Sequence, residues 1–153
     1  MKNRFLFFSF LIFFNTSIFA ENFKIESKNI SLDKNNQVTI FKEQVFIKTE
    51  DGNNIRSDYA EYDKDKNIII LKENIIATDK LNNKISTNYA VYNKNNKIFE
   101  SKGSTKIVTS EEYIINGRNI IFNNNKKLIS STEDTEITDI DNNKIYLTNF
   151  EYQ

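Results

Sequence analysis

Apolar residues recur at every second position in Val45–Ile47, Ala60–Tyr62, Ile75–Ala77 and Phe150–Tyr152, and no stretch carries the i, i+3, i+4 stripe of a helix. The chain is therefore predicted to be all-β. Between the alternating stretches lie two series of polar clusters. One is Glu50–Asn54, Lys80–Lys84 and Ile140–Lys144; the other is Asp63–Lys66, Asn93–Asn96 and Asn123–Lys126. Asn and Asp accept left-handed backbone angles and cap turns with their own side chains, so both series are predicted turns.

Both series repeat every thirty residues, and so do the apolar positions between them. The columns are Val38, Ile68, Ile98 and Leu128; Val45 and Ile75; Ile47, Ala77, Ile107 and Ile137; Ile25, Ile55, Ile85, Ile115 and Ile145; Ala60, Ala90 and Ile120; and Tyr62, Tyr92, Phe122 and Tyr152. About four and a half copies of a unit typified by Asn36–Asp65 align without a gap, the half copy being Phe23–Lys34. Such a period marks stacked supersecondary units, none able to bury its apolar face alone. Each unit reads as a longer strand, a turn, a shorter strand and a turn.

The parity of the apolar positions changes inside the unit. Val45, Ile47 and Ile55 are odd, whereas Val38, Ala60 and Tyr62 are even. A strand that switches parity must bulge or turn a corner, or its apolar set would move to the wrong face. The switches fall near Lys42–Gln44 and Asp58–Tyr59. Bent units in a stack give two facing sheets with an apolar interior lined by the columns above. Small members such as Ala60, Ala77 and Ala90 allow either a packed core or a furrow open along one edge.

Ahead of the repeats stand Met1-Lys-Asn-Arg4, the apolar run Phe5–Phe14 and a small residue, Ala20. This is the pattern of a secretory signal peptide, too short in its apolar part for the ~20 residues of a membrane span. We expect residues 1–20 to be a cleaved signal peptide and residues 21–153 a single β-repeat domain. Loss of Lys2 and Arg4 from the 21 basic residues leaves 19 against 21 acidic. That balance argues against a nucleic-acid partner, which needs a basic surface.

The chain has no histidine and no cysteine, which removes the common catalytic triads and zinc sites. Asp63-Lys-Asp65-Lys-Asn67 and Asp139-Ile-Asp141-Asn-Asn143 open like calcium loops. Ile68 and Lys144, however, stand where such a loop needs glycine, and Asn74 and Phe150 where it needs glutamate. No catalytic residue, metal site or cofactor is expected, and the chain is not read as an enzyme.

With its leader and its order of motifs, the chain resembles the OstA-like family of lipopolysaccharide transport. The likeness rests on the I-x-S openings Ile25–Ser27 and Ile55–Ser57, on Ser57-Asp58-Tyr59-Ala60-x-x-Tyr62, and on Glu73-Asn74-Ile75, where the family commonly has Gly-Asn-Val. It spans Glu21–Gln153 and is strongest before Thr109. The resemblance implies a β-taco or jellyroll in the periplasm, possessing an inner groove that shields the acyl chains of lipopolysaccharide. It further implies end-to-end partners, either other OstA-like domains or the chain itself, as in a stand-alone bridge protein or the N-terminal domain of an outer-membrane translocon. From the residues alone, a structural or adhesive β-solenoid with a packed core stays open as the alternative.

Overall fold

The computed structural model describes residues 23–153, so the leader lies outside the described residues. Among the described residues fourteen strands form one antiparallel sheet. They are β1 (Lys24–Glu26), β2 (Asn29–Asp33), β3 (Val38–Lys48), β4 (Asn54–Asp63), β5 (Ile68–Thr78), β6 (Lys84–Asn93), β7 (Ile98–Ser101), β8 (Ser104–Val108), β9 (Ile114–Arg118), β10 (Ile121–Asn123), β11 (Leu128–Ser131), β12 (Thr135–Thr138), β13 (Lys144–Leu147) and β14 (Phe150–Tyr152). The strands expected to alternate long and short are nearly equal, β3 to β6 having 11, 10, 11 and 10 residues.

The sheet folds along a corner into two arms. β3–β6 run through the corner, with register shifts between Lys42 and Val45, Arg56 and Tyr59, and Lys72 and Ile75. After β6 the sheet divides. One arm continues as β8, β9, β12 and β13, the other as β7, β10, β11 and β14. We call the first arm I, which also holds β1, and the second arm II, which also holds β2. The parity switch expected near Asp58–Tyr59 falls at this corner, but the one expected near Lys42–Gln44 is a correction, because Phe41, Val45 and Ile47 are all odd and buried; there Glu43 and Gln44, and likewise Glu73, Asn74 and Gly103, take positive φ. In β3 and β5 a left-handed pair bulges the strand and keeps its parity, with Phe41 and Val45, and Leu71 and Ile75, all buried, whereas β4 and β6 change parity between Ser57 and Ala60 and between Thr87 and Ala90.

Hydroxyls satisfy the corner backbone. Ser27 and Ser57 donate to the carbonyl two residues ahead, at 2.8 and 3.1 Å, which gives the I-x-S motif its role. On returning strands Thr105 and Thr135 donate to the carbonyl two residues behind, at 3.2 and 3.0 Å. Ser101 Oγ accepts from the Ile120 N–H at 2.9 Å and lies 2.7 Å from the Thr105 hydroxyl oxygen. These buried hydroxyls keep polar backbone from being stranded beside an apolar core. Gly117 stands where earlier units have Ser57 and Thr87, and a Cβ there would lie 3.0 Å from Ile120 Cδ1 and Thr135 Oγ1.

Turns at the far ends of the arms keep the same period. On arm I, Gly52, Asn82, Glu112 and Asn142 hold φ of 80°, 68°, 67° and 64°, and each donates its N–H to the carbonyl three residues back. On arm II the left-handed position falls at Gln37, Asn67, Lys97 and Lys127, with φ of 51–56°. There Asp33, Asp63, Asn93 and Asn123 cap the turn through a side-chain oxygen.

Of the residues expected inside, Val45, Ile47, Ile55, Ala60, Ile75, Ala77, Ile85, Ala90, Tyr92, Ile107, Ile115, Ile120 and Phe122 are buried. Ile25, Tyr62 and Ile137 are half-buried against them. The column Val38, Ile68 and Ile98 is a correction, because these residues lie on the outer face. Directly opposed residues of an antiparallel pair share a face, and these three oppose Asp63 and Asn93 of the turns. Their neighbours Ile69, Phe99 and Ile129 oppose the Tyr62 column and fill the interior instead. Ile145 is a second correction: it faces inward beside Ile137 but is 55% exposed.

This packing is open to test at the core and at the corner. Ile85→Asp places an unpaired carboxylate in the core and should cost several kcal/mol, abolishing the cooperative urea transition; Asn95→Asp, in an exposed turn, should leave the midpoint unchanged. At the corner, Gly103 has φ +81°, and a Cβ added there would meet nothing within 4 Å. Gly103→Ala should therefore cost about 1 kcal/mol through backbone strain alone, whereas Glu73→Gly should raise the midpoint; equal midpoints for the parent and both variants would contradict the left-handed corner.

Candidate functional site

Two rows of side chains face each other between the arms. On arm I the cross-strand register runs without a break through Ile25, Ile47, Ile55, Ala77, Ile85, Ile107, Ile115, Ile137 and Ile145. On arm II it runs through Leu32, Thr39, Tyr62, Ile69, Tyr92, Phe99, Phe122, Ile129 and Tyr152. Together they form an apolar strip along the whole stack. β-Branched isoleucine on one side and aromatics on the other suit a pleated wall facing a narrow furrow.

The furrow is deepest at the corner and opens between the two series of turns. Within it the free space near Ile55, Ile85, Tyr92, Phe99 and Phe122 is only about 20 Å³. Side chains fill it. At the mouth, a cleft of about 560 Å³ lies between Asp79, Leu81 and Asn83 of arm I and Phe122, Asn124 and Ile129 of arm II. A depression of about 630 Å³ on the corner is lined mainly by polar groups such as Ser86, Lys106, Asn116 and Arg118. It lacks the apolar floor of the furrow.

Polar contacts span the mouth. The Tyr152 hydroxyl donates to Glu111 Oε2 at 3.4 Å, and burial and the Glu111 charge push its pKa up. Burial first, then the charges of Asp51 and Glu50, push the Tyr92 phenol up, while its contact with the Thr49 hydroxyl acts the other way. Lys94 of arm II lies 3.9 Å from Glu50 of arm I, and its ammonium stands 3.7 Å over the ring of Phe23. Phe23 in turn packs against Tyr62 at 5.7 Å between ring centroids. Asp51 Oδ2 is buried at this rim without a hydrogen-bond partner, while its other oxygen accepts from Thr49.

Aromatic residues, isoleucines and hydroxyls cannot by themselves supply a nucleophile–base pair. Among the described residues no group of three His, Cys, Asp or Glu is placed to hold a metal ion. Asp63 and Asp139, the openings that resembled calcium loops, instead cap their own turns. Hydrogen bonds from Asn143 and from Lys66 hold the carboxyls of Asp139 and Asp63, respectively, below the usual range. Sequence reasoning missed Ile69, Leu71, Ile129 and Phe150 as interior residues. It also passed over the buried hydroxyls, whose signal was the recurrence of Ser or Thr at 27, 57 and 87 and again at 105 and 135.

No curated protein matches the sequence. Among solved structures, LptH of Pseudomonas aeruginosa, described as the LptA-homologous periplasmic component of the conserved lipopolysaccharide transport device, aligns with a TM-score of 0.63 at 10% identity. That alignment covers 82% of this chain and 94% of LptH, and it shows the shared fold. The TCP10 domain of Danio rerio CPAP, solved in complex with a STIL peptide, covers 82% of this chain and 83% of its own at 8% identity, but a TM-score of 0.18 is not the likeness of a common fold. Residues 20–140 match the family "Lipopolysaccharide-assembly, LptC-related", and the chain belongs to that family.

Proposed function

We propose that this protein is a periplasmic component of lipopolysaccharide transport that shelters acyl chains between its arms and passes them along a bridge of stacked domains. The observation that carries this reading is the pair of facing rows, apolar throughout on arm I and broken on arm II only by Thr39. A chain of about twelve carbons exposed to water costs on the order of 10 kcal/mol, at ~0.8 kcal/mol per methylene. A strip along the whole stack removes that cost at every step. Near-identical rungs also offer no deep site in which a guest would stall.

The closed furrow does not oppose this reading. The contacts spanning the mouth are few, each worth about 1 kcal/mol or less, so their sum is well below the gain from covering an acyl chain. A guest that parts the arms replaces the apolar contacts between the two rows with its own methylenes, so the polar rim contacts are the part it does not restore. Residues 1–20 are assigned as the leader that delivers the chain to the periplasm.

The ends of the stack support joining of copies. Tyr152 meets Glu111 and Tyr92 faces Asp51, so each rung of arm II lies against a turn about four-thirds of a repeat earlier. The two arms are therefore stepped. On the N-terminal end of arm II, Ile30 and Leu32 are each 61% exposed, and on arm I Ile145 at the C-terminal end is 55% exposed. In a second copy set head to tail, β2 would extend β14 and β1 would extend β13. The overhanging faces would then cover each other and the unpaired strand edges would be used.

Two experiments check this function. Photoreactive residues replacing Ile85 or Ile107 should crosslink lipopolysaccharide, and those replacing the outward-facing Arg56 or Lys106 should not; equal labelling of both sets, or none from the interior, favours a merely packed core. Leu32→Asp and Ile145→Asp, at exposed positions, should each reduce concentration-dependent assembly at least about tenfold in light scattering while leaving the stability from urea unfolding within about 0.5 kcal/mol of the parent; unchanged assembly in both would remove the stepped joint.

A further inference from the structure

The mouth is not equivalent along its length. The position facing the furrow at the end of each arm II strand is Tyr62, Tyr92, Phe122 and Tyr152. The turn position opposite, forty-one residues earlier in the chain, is Asp51 for Tyr92, Leu81 for Phe122 and Glu111 for Tyr152. The spacing is anchored by the Tyr152–Glu111 hydrogen bond; at the Tyr92 rung the equivalent acid, Asp51, is bonded to Thr49 and acts on the phenol by its charge. Two rungs therefore pair a tyrosine with an acid. At the rung between them both partners are apolar.

Further features coincide there. Leu81 is 62% exposed at the tip of its turn, where its counterparts are carboxylates. The carboxylate of Asp79 is engaged within its own turn by the N–H groups of Leu81 and Asn83 and by the Asn83 amide, at 2.8–2.9 Å. Phe122 offers no hydroxyl to bridge the gap. The 560 Å³ cleft is centred on this rung and reaches Asp51 on one side and Glu111 and Tyr152 on the other, and Asp79, Asn83, Phe122 and Ile129 line both that cleft and the furrow interior. Its volume falls within the ~300–1,000 Å³ of clefts that hold small ligands, whereas the interior beneath has no such room.

We infer that the Leu81–Phe122 rung is the portal through which a single acyl chain slips sideways into the furrow, the flanking tyrosine–acid rungs acting as clasps. The inference rests on the lipid-sheltering function proposed above and adds where the guest crosses the rim. Exposed leucine and the phenylalanine opposite give an alkyl chain a first contact, and continuity with the isoleucine row leads it inward. A polar or charged ligand would gain nothing from such a rung. The clasps on either side keep the arms together while one rung parts.

The test uses the full mature chain and a twelve-carbon fatty acid bearing a diazirine at the chain end. Uptake is followed as the initial rate of labelling of the peptide containing Ile85. The double variant Leu81→Glu with Phe122→Tyr copies the Glu111–Tyr152 clasp and should slow uptake about tenfold, the effect of one well-made hydrogen bond, with thermal unfolding at or above the parent temperature. Glu111→Leu with Tyr152→Phe, which opens a second apolar rung, should keep or raise the rate. Should the first variant unfold, Leu81→Glu alone supplies the same comparison. Interior labelling at an unchanged rate in the clasped variant would overturn the portal and leave lipid sheltering intact. Equal slowing in both double variants would also overturn it. An absence of interior labelling in the parent would remove lipid sheltering itself, and the portal with it.

Discussion

The structure depends on a change of parity at one corner. A strand carries its apolar side chains on one face, yet each strand here must bury them on both sides of a bend. β4 and β6 make that change of parity between Ser57 and Ala60 and between Thr87 and Ala90, while the left-handed pairs Glu43–Gln44 and Glu73–Asn74 bulge β3 and β5 beside them. Each non-glycine residue held there costs of order 1 kcal/mol, and the cost is met by burial of the neighbouring side chains on two arms instead of one. In the later units, Thr105 and Thr135 take over from Val45 and Ile75, and a hydroxyl bonds the corner carbonyl directly. That exchange coincides with the division of the through-running strands into β7 and β8 and their successors.

From this corner the rest follows in layers. The thirty-residue period sets left-handed turns at both free ends of the arms, so the open side is rimmed by polar loops while the corner stays dry. Between them the two rows converge. Because the arms are offset along the stack, the rim contacts link distant repeats, Tyr152 to Glu111 and Lys94 to Glu50. The same offset leaves inner faces uncovered at opposite ends of opposite arms.

Much of this was legible in the sequence. Gapless columns gave the repeat, odd and even positions gave the corner, and the isoleucine column gave the row on arm I. The register on arm II was not legible from alternation, for a definite reason. Ile68, Ile69 and Ile70 are all isoleucine, and Ile98 and Phe99 are both apolar, so neither parity is distinguished within the strand. Only pairing decides, since Tyr62 and Tyr92 oppose Ile69. Nor does an apolar residue in a repeat column announce that its cover is missing; Ile145 continues the row of Ile115 and Ile137 within its sheet but has no second arm above it.

The central claim is that the filled furrow is a resting state whose arms part for an acyl chain. Native cysteine is absent from the sequence, so spin labels placed on cysteines at positions 80 and 127, on opposite rims of the cleft, report the width of the mouth directly. Their separation, measured by pulsed electron resonance, should grow by several ångströms on adding lipopolysaccharide, while a pair within arm I at positions 84 and 106 keeps its distance. A rim distance that stays fixed at saturating lipopolysaccharide would contradict the account.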